Sequence, residues 1–149
     1  MYLKDSWKLL AKAAREIIID EELPRIDELK FRSPLNGVMG HSGVCKKRKT
    51  LTKGYHQYTI ILTTTMPKFV KTEKGKHTHI SKDRKTYYRR VKGDWRPWKD
   101  LVNTMAHELA HLKFWDHTPS HKSYTNHLHK LLDIKIKEMD KDGIIASST

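Results

Sequence analysis

The residues best suited to chemistry in this chain are His107, Glu108 and His111, in the stretch His107-Glu108-Leu109-Ala110-His111. Two histidines four positions apart on a helix lie one above the other on a single face, where their imidazoles can share one metal ion. Glu108 lies about 100° further round the helix, within reach of a water beside that metal. Two neutral nitrogens and an adjacent base are what a hydrolytic zinc site needs: the metal activates water and the carboxylate moves its proton. The plainer alternative is a core helix with two hydrogen-bonded histidines.

A zinc site of this kind needs a third protein ligand, and six of the ten histidines fall between positions 107 and 129. His117 is the first candidate. Asp116, Thr118 and Pro119 are turn and helix-start residues, so the helix should end near Trp115 or Asp116 and let His117 swing back to the metal. His121, one turn into the next helix, is the second candidate, and Glu138 on that same helix the third. His127 and His129 read as an ordinary helical surface. Tyr124 and His121 are candidates for a second group that polarises a substrate carbonyl.

These residues must be positioned by regular elements, and the pattern supplies them. Trp98, Leu101, Val102, Met105, Leu109 and Leu112 recur at helical spacing after Pro97, which predicts an amphipathic helix from Trp98 onward with the histidines at the border of its apolar stripe. Trp7, Leu10, Ala11, Ala14, Ile17 and Ile18 predict a first helix that Pro24 terminates. Leu29 to Phe31 is a short strand candidate. Gly37, Gly40 and Gly43 punctuate a turn-rich connection that also holds Val38 and Val44. Tyr58 to Thr65, rich in β-branched residues, is the strongest strand candidate. Thr86 to Val91 is a further strand, paired with His77 to Ser81 through a turn at Ser81-Lys82-Asp83-Arg84. A final helix runs from about Ser120 to Lys141 and uses Tyr124, Leu128, Leu131 and Met139.

The run HELAHLKFWDHTPSHKSY, residues 107–124, resembles the core of SprT-like (Spartan) and related WLM-type zinc metalloproteases. In those families an HExxH helix is followed by a third zinc-binding histidine in a His-Gly-Pro-x-aromatic turn, with which His117-Thr118-Pro119-Ser120-His121 aligns. Thr118 stands at the usual glycine and His121 at the usual aromatic position, and the short gap from His111 to His117 is nearer the WLM-like members. The metzincin pattern is excluded because its glycine would fall at Phe114. The resemblance implies an α+β, zincin-like fold: an N-terminal helix, a small mostly antiparallel sheet, the HExxH helix and a C-terminal helix. It implies Zn²⁺ held by His107, His111 and His117, with Glu108 as catalytic base for peptide-bond hydrolysis. It also suggests substrates among nucleic-acid-associated proteins.

Length and composition agree with one domain over residues 1–141 and a short polar tail over 142–149. A chain of this length buries roughly 70% of its unfolded surface and needs no covalent staple. Cys45 is the only cysteine, which excludes an internal disulfide and a cysteine-based zinc ribbon. Many SprT-like proteins carry such a ribbon, so a minimal core without it is expected. No signal peptide or apolar membrane span is evident, and an intracellular, reducing location is the default, in a cellular or a viral setting alike.

The formal net charge is +13 and is concentrated. Residues 68–100 hold 12 Lys and Arg against 4 Asp and Glu, a local excess of +8, and Lys46-Lys47-Arg48-Lys49 forms a second cluster. Such density attracts polyanions, and a nucleic-acid partner, DNA ahead of RNA, is expected through residues 46–49 and 68–99. Tyr87, Tyr88, Trp95 and Trp98 lie among these cations and are candidate base-stacking platforms. The substrate backbone is expected to add to a sheet edge, with Thr86 to Val91 and Tyr58 to Thr65 as candidates. The competing class is a zinc-stabilised nucleic-acid-binding module without protease activity, and a zinc hydrolase of a non-peptide bond is a third option.

Overall fold

The computed structural model describes residues 4–32, 43–49 and 56–140. These form an α+β arrangement in the order α1 (Lys4–Asp20), β1 (Glu28–Arg32), β2 (Gly43–Lys49), β3 (His56–Thr63), β4 (Thr65–Thr72), β5 (His79–Ile80), β6 (Tyr87–Trp95), α2 (Trp98–Ala110) and α3 (Pro119–Met139). Gly37, Val38, Gly40 and the tail 142–149 lie outside the described residues. No described helix is long and apolar enough to cross a membrane.

The three helices meet in one core. Leu10, Ala13, Ala14, Ile17 and Ile18 of α1 recur every three or four residues, so they share one face. That face packs with Leu101, Met105 and Leu109 of α2, Leu128, Leu132 and Ile136 of α3, and Ile60 and Leu62 of β3. Each Leu buried in such a core contributes about 2–5 kcal/mol relative to Ala. Thr118 caps α3, its hydroxyl accepting from the His121 amide at 3.2 Å, and Pro119 occupies the first turn where no amide donor is needed. Thr118 is therefore a good helix cap.

Two three-stranded sheets follow. In the first the order is β1-β3-β2, with β1 parallel to β3 (Leu29 opposite Ile60) and β2 antiparallel to it (Cys45 opposite Ile60). In the second the order is β4-β6-β5, antiparallel throughout, with His79 opposite Tyr88. Only Thr64 separates β3 from β4. Buried Arg96 ties this junction to α2: Nη1 donates to the Thr63 carbonyl at 2.9 Å, and Nη2 to the Asp100 carbonyl at 3.3 Å and to the Thr104 hydroxyl.

Three expectations are corrected here. The α-helix bearing the histidines ends at Ala110 rather than near Trp115 or Asp116. Tight i→i−3 contacts, His111 N to Glu108 O at 3.2 Å and Leu112 N to Leu109 O at 3.0 Å, close it early. Tyr58 to Thr65 and Thr86 to Val91 are not sheet edges, because β3 and β6 are the central strands of their sheets. The edge beside α2 is β2, whose cation-rich sequence hides its strand character.

Candidate metal centre

α2 presents His107, Glu108 and His111 at its C-terminal end, and the short return before α3 brings His117 and His121 onto the same spot. The Nε2 atom of His107 lies 3.1 Å from Nε2 of His117 and 3.2 Å from Nε2 of His111. A nitrogen from each of His107, His111 and His121 also lies within 4.8 Å of the other two, close enough for the three to bind a metal ion. Four imidazoles from three segments therefore converge.

Hydrogen bonds fix which nitrogen each ring offers. His111 Nδ1 faces the Phe114 carbonyl at 3.3 Å, and a carbonyl only accepts, so Nδ1 carries the proton and the Nε2 lone pair points into the cluster. This is the outer hydrogen bond that orients a metal-binding histidine. His121 Nε2 donates to the His107 carbonyl at 3.0 Å, which leaves the Nδ1 lone pair as the only one it can offer a metal. Its ring is stacked on His111, with centroids 4.1 Å apart and planes 27° apart.

The donor set fits zinc. Ligand nitrogens around tetrahedral zinc, with bonds near 2.0–2.1 Å, stand about 3.3–3.4 Å apart, close to the His107–His117 and His107–His111 spacings. A proton on His107 Nε2 can be donated to one neighbour but not to both. Burial is the first cause that pushes His107 down to about 4, with the neighbouring His121, His111 and His117 adding to it. Burial likewise lowers His111 and His121. The rings His107, His111 and His121 are thus neutral at pH 7, with lone pairs available.

Glu108 is 4% exposed, and its carboxylate lies 3.8 Å from His107 Nε2. Burial raises it from the usual carboxylate range to about 7. A carboxyl near that value can both take and return a proton at neutral pH.

A cleft of about 560 Å³ adjoins this group and is lined by β2 residues Gly43, Val44 and Cys45 and by Asn103, Trp115 and His117. β2 lies close against α2: a Cβ on Gly43 would stand 2.6 Å from Thr104 Cγ2 and 3.3 Å from Glu108 Cγ. Asn103 and Thr104 stand one helical turn before His107 and Glu108. Counting back four residues from the motif would have found them, whereas no local signal in the sequence places β2 here.

The remaining candidates lie elsewhere. Glu138 is exposed on the last turn of α3, about 25 Å along the helix axis from His121 at 1.5 Å per residue, so it is no ligand. Tyr124 donates to Glu21 Oε1 at 3.2 Å and lines a different cavity with Lys113 and Phe114, away from any carbonyl held over Glu108. His127 pairs with Glu21 at 2.9 Å, and His129 contacts Asn103 and Asp133, as surface histidines do. Trp98 is buried in the core and Trp95 packs against Trp7 at 5.4 Å between centroids, so neither offers a free face for a base. Tyr87 and Tyr88 are half-buried on β6. Comparison of the chain with family models, with curated proteins and with solved structures gave no match.

Proposed function

We propose that this chain is a zinc-dependent metallopeptidase with a SprT-like, zincin-type core, in which His107, His111 and His117 hold the metal through Nε2. The observation that carries this reading is that Nε2 of His117 and Nε2 of His111 approach His107 Nε2 at 3.1 and 3.2 Å, beside the buried Glu108 carboxylate. A bound zinc ion would supply Lewis acidity, polarising the scissile carbonyl and making water acidic enough to ionise near pH 7.

The chain's own residues do the rest. Glu108 accepts a proton from the attacking water and returns it to the leaving amine. His111, fixed by the Phe114 carbonyl, keeps its lone pair on the metal side. His121 holds the last turn of α2 by donating to the His107 carbonyl. The substrate backbone adds as a further strand to the edge of β2 that pairs with no strand among the described residues, and its carbonyl groups then lie in the cleft over Glu108. The basic stretch of residues 68–99 attracts nucleic acid and recruits proteins bound to it, inside the cell.

His121 supports a second reading. Its nitrogen lies within the metal-binding group, so it fits a fourth ligand that closes the coordination sphere. The protein would then be a zinc-stabilised nucleic-acid-binding module without catalysis.

Metal content, peptide cleavage and cobalt spectra separate the two. The peptidase reading expects one zinc per chain, loss of zinc in His117→Ala, and loss of cleavage with retained zinc in Glu108→Gln. In the cobalt-substituted protein, added thiocyanate or a hydroxamate should change the visible bands of an open site and leave a four-histidine site unchanged. Unchanged bands together with no cleavage by the parent would establish the binding module. Cleavage of a DNA-bound protein that is no faster than cleavage of the free protein at low salt would remove the nucleic-acid part alone.

A further inference from the structure

The edge strand that borders the cleft carries an unusual run of charge. Lys46, Lys47, Arg48 and Lys49 are four consecutive exposed cations on β2. Their cross-strand neighbours on β3 are Thr59, Tyr58, Gln57 and His56, none of which offers a carboxylate. No described residue places a carboxylate within ion-pair distance of any of the four. Side chains alternate along a strand. A Cβ on Gly43 would meet α2, so Cys45 and Lys47 share that face while Lys46 and Arg48 take the other. Accordingly Cys45 lines the cleft, and the Lys47 ammonium sits 4.6 Å from the ring centroid of Trp115, a further lining residue that is 41% exposed.

The geometry points to acidic polypeptide segments as the substrate class of this cleft, bound as a strand along β2 with Asp or Glu side chains opposite residues 46–49. This rests on the peptidase reading and adds its specificity. Charge complementarity favours a peptide because opposite charges facing each other across paired strands are stabilising, and the 3.4 Å residue repeat of a paired strand brings one substrate side chain to each cation. Backbone amides and carbonyls on the strand edge recognise another backbone, which a phosphodiester chain does not offer. Lys46 to Lys49 lie about 10–20 Å along β2 from Gly43, which abuts Glu108. In antiparallel pairing, the slightly more stable sense, the acidic residues therefore precede the scissile bond.

Two measurements test this. Zinc-loaded parent protein is given a complex peptide mixture and the cleavage sites are mapped by mass spectrometry. Acidic residues should be enriched at the three to six positions before the cut, and replacing them with Gln and Asn in one such peptide should lower kcat/KM by about tenfold. The variant Lys46→Glu/Arg48→Glu, folded by circular dichroism, should shift the enrichment towards Lys and Arg. Cleavage without enrichment, or enrichment that the variant leaves intact, overturns the inference and leaves the peptidase standing. Separately, Glu108→Gln protein is titrated with a fluorescent acidic decamer, its Gln/Asn counterpart and a single-stranded DNA oligonucleotide of equal charge. Tight, salt-sensitive binding of the acidic decamer that Lys46→Glu/Arg48→Glu abolishes supports the recognition of acidic segments by β2, and if no peptide is cut it is the peptidase reading that fails. A response confined to the oligonucleotide assigns the strand to nucleic acid and overturns it.

Discussion

Gly43 of the edge strand lies close against Glu108 of the histidine helix, so that a Cβ there would stand 3.3 Å from Glu108 Cγ. The nearer obstacle is the Thr104 methyl, and Thr104 cannot turn aside because its hydroxyl donates to the Asp100 carbonyl at 2.9 Å and accepts from Arg96. Gly43→Ala should therefore displace β2 from α2. A cost of about 1–3 kcal/mol, typical of overpacking, is expected in chemical denaturation, together with reduced activity. Thr104→Ser removes the obstructing methyl and keeps the hydroxyl, so Gly43→Ala/Thr104→Ser should regain most of the stability. A double variant no more stable than Gly43→Ala would show that the methyl is not the obstacle.

His121 and His117 should respond differently to substitution. His121 is 3% exposed, stacks on His111 and donates to a helix carbonyl, so His121→Ala loses packing and a hydrogen bond and should cost about 2–4 kcal/mol even without metal. His117 is exposed, so His117→Ala should leave the metal-free protein within about 0.5 kcal/mol of the parent while lowering zinc affinity by at least tenfold. Denaturation with and without chelator, beside zinc titration, would reveal a reversal of these two patterns.

How much of this was legible in the sequence follows from the range of the interactions involved. The helices were readable because their apolar stripes are local: Leu101, Val102, Met105 and Leu109 are all buried as their spacing requires. His107, Glu108 and His111 were readable because helical geometry alone places them together. The edge strand was not, since Val44-Cys45-Lys46-Lys47-Arg48-Lys49 lacks the alternation of a half-buried strand and pairs with β3 through backbone contacts. The same blindness made β3 and β6 look like edges, because strand order depends on partners distant in the chain. The choice between His117 and His121 also lay beyond spacing: both reach the cluster, and only their hydrogen bonds distinguish the nitrogen each can offer.

Arg96 is a buried cation held mainly by backbone, and its shape matters more than its charge. Its guanidinium reaches the Thr63 carbonyl, the Asp100 carbonyl and the Thr104 hydroxyl, joining the β3–β4 junction to the first turns of α2. Arg96→Lys keeps the charge but replaces a rigid fork with a single ammonium. A loss of about 2–4 kcal/mol is expected from two or three broken bonds in a buried site. An Arg96→Lys protein as stable as the parent in urea would mean that charge alone suffices.

Cys45 should be a slow thiol despite lining the cleft. Burial is the first cause that raises it to about 12, the negative charge of Glu108 adds to this, and Lys47 opposes it. The thiolate is the reactive form, so at pH 8 its fraction is far below that of an ordinary cysteine. Alkylation of the folded protein by iodoacetamide should be at least tenfold slower than in urea, and should keep rising with pH past 9. A rate that levels off near pH 8.5 would place the thiol in an ordinary environment.

Tyr124 should make the protein lose stability in alkali over a defined window. Burial is the first cause that raises its hydroxyl from 10.0 to about 12, followed by the charge of Glu21 and the hydrogen bond donated to it. The folded chain therefore holds this proton at a pH where the unfolded chain has released it. Between pH 10 and 12 the folded state binds more protons, so stability falls as pH rises. The contribution is whole below about pH 10 and gone above about pH 12. Tyr124→Phe removes the titrating group and the bond to Glu21 but keeps the ring against Phe114. The parent should thus be the more stable protein at pH 8, and the difference should shrink steadily towards pH 12. Urea midpoints for both proteins at pH 8, 10, 11 and 12 would show it, and a constant difference across that range would mean that the Tyr124 hydroxyl titrates alike in the folded and unfolded chains.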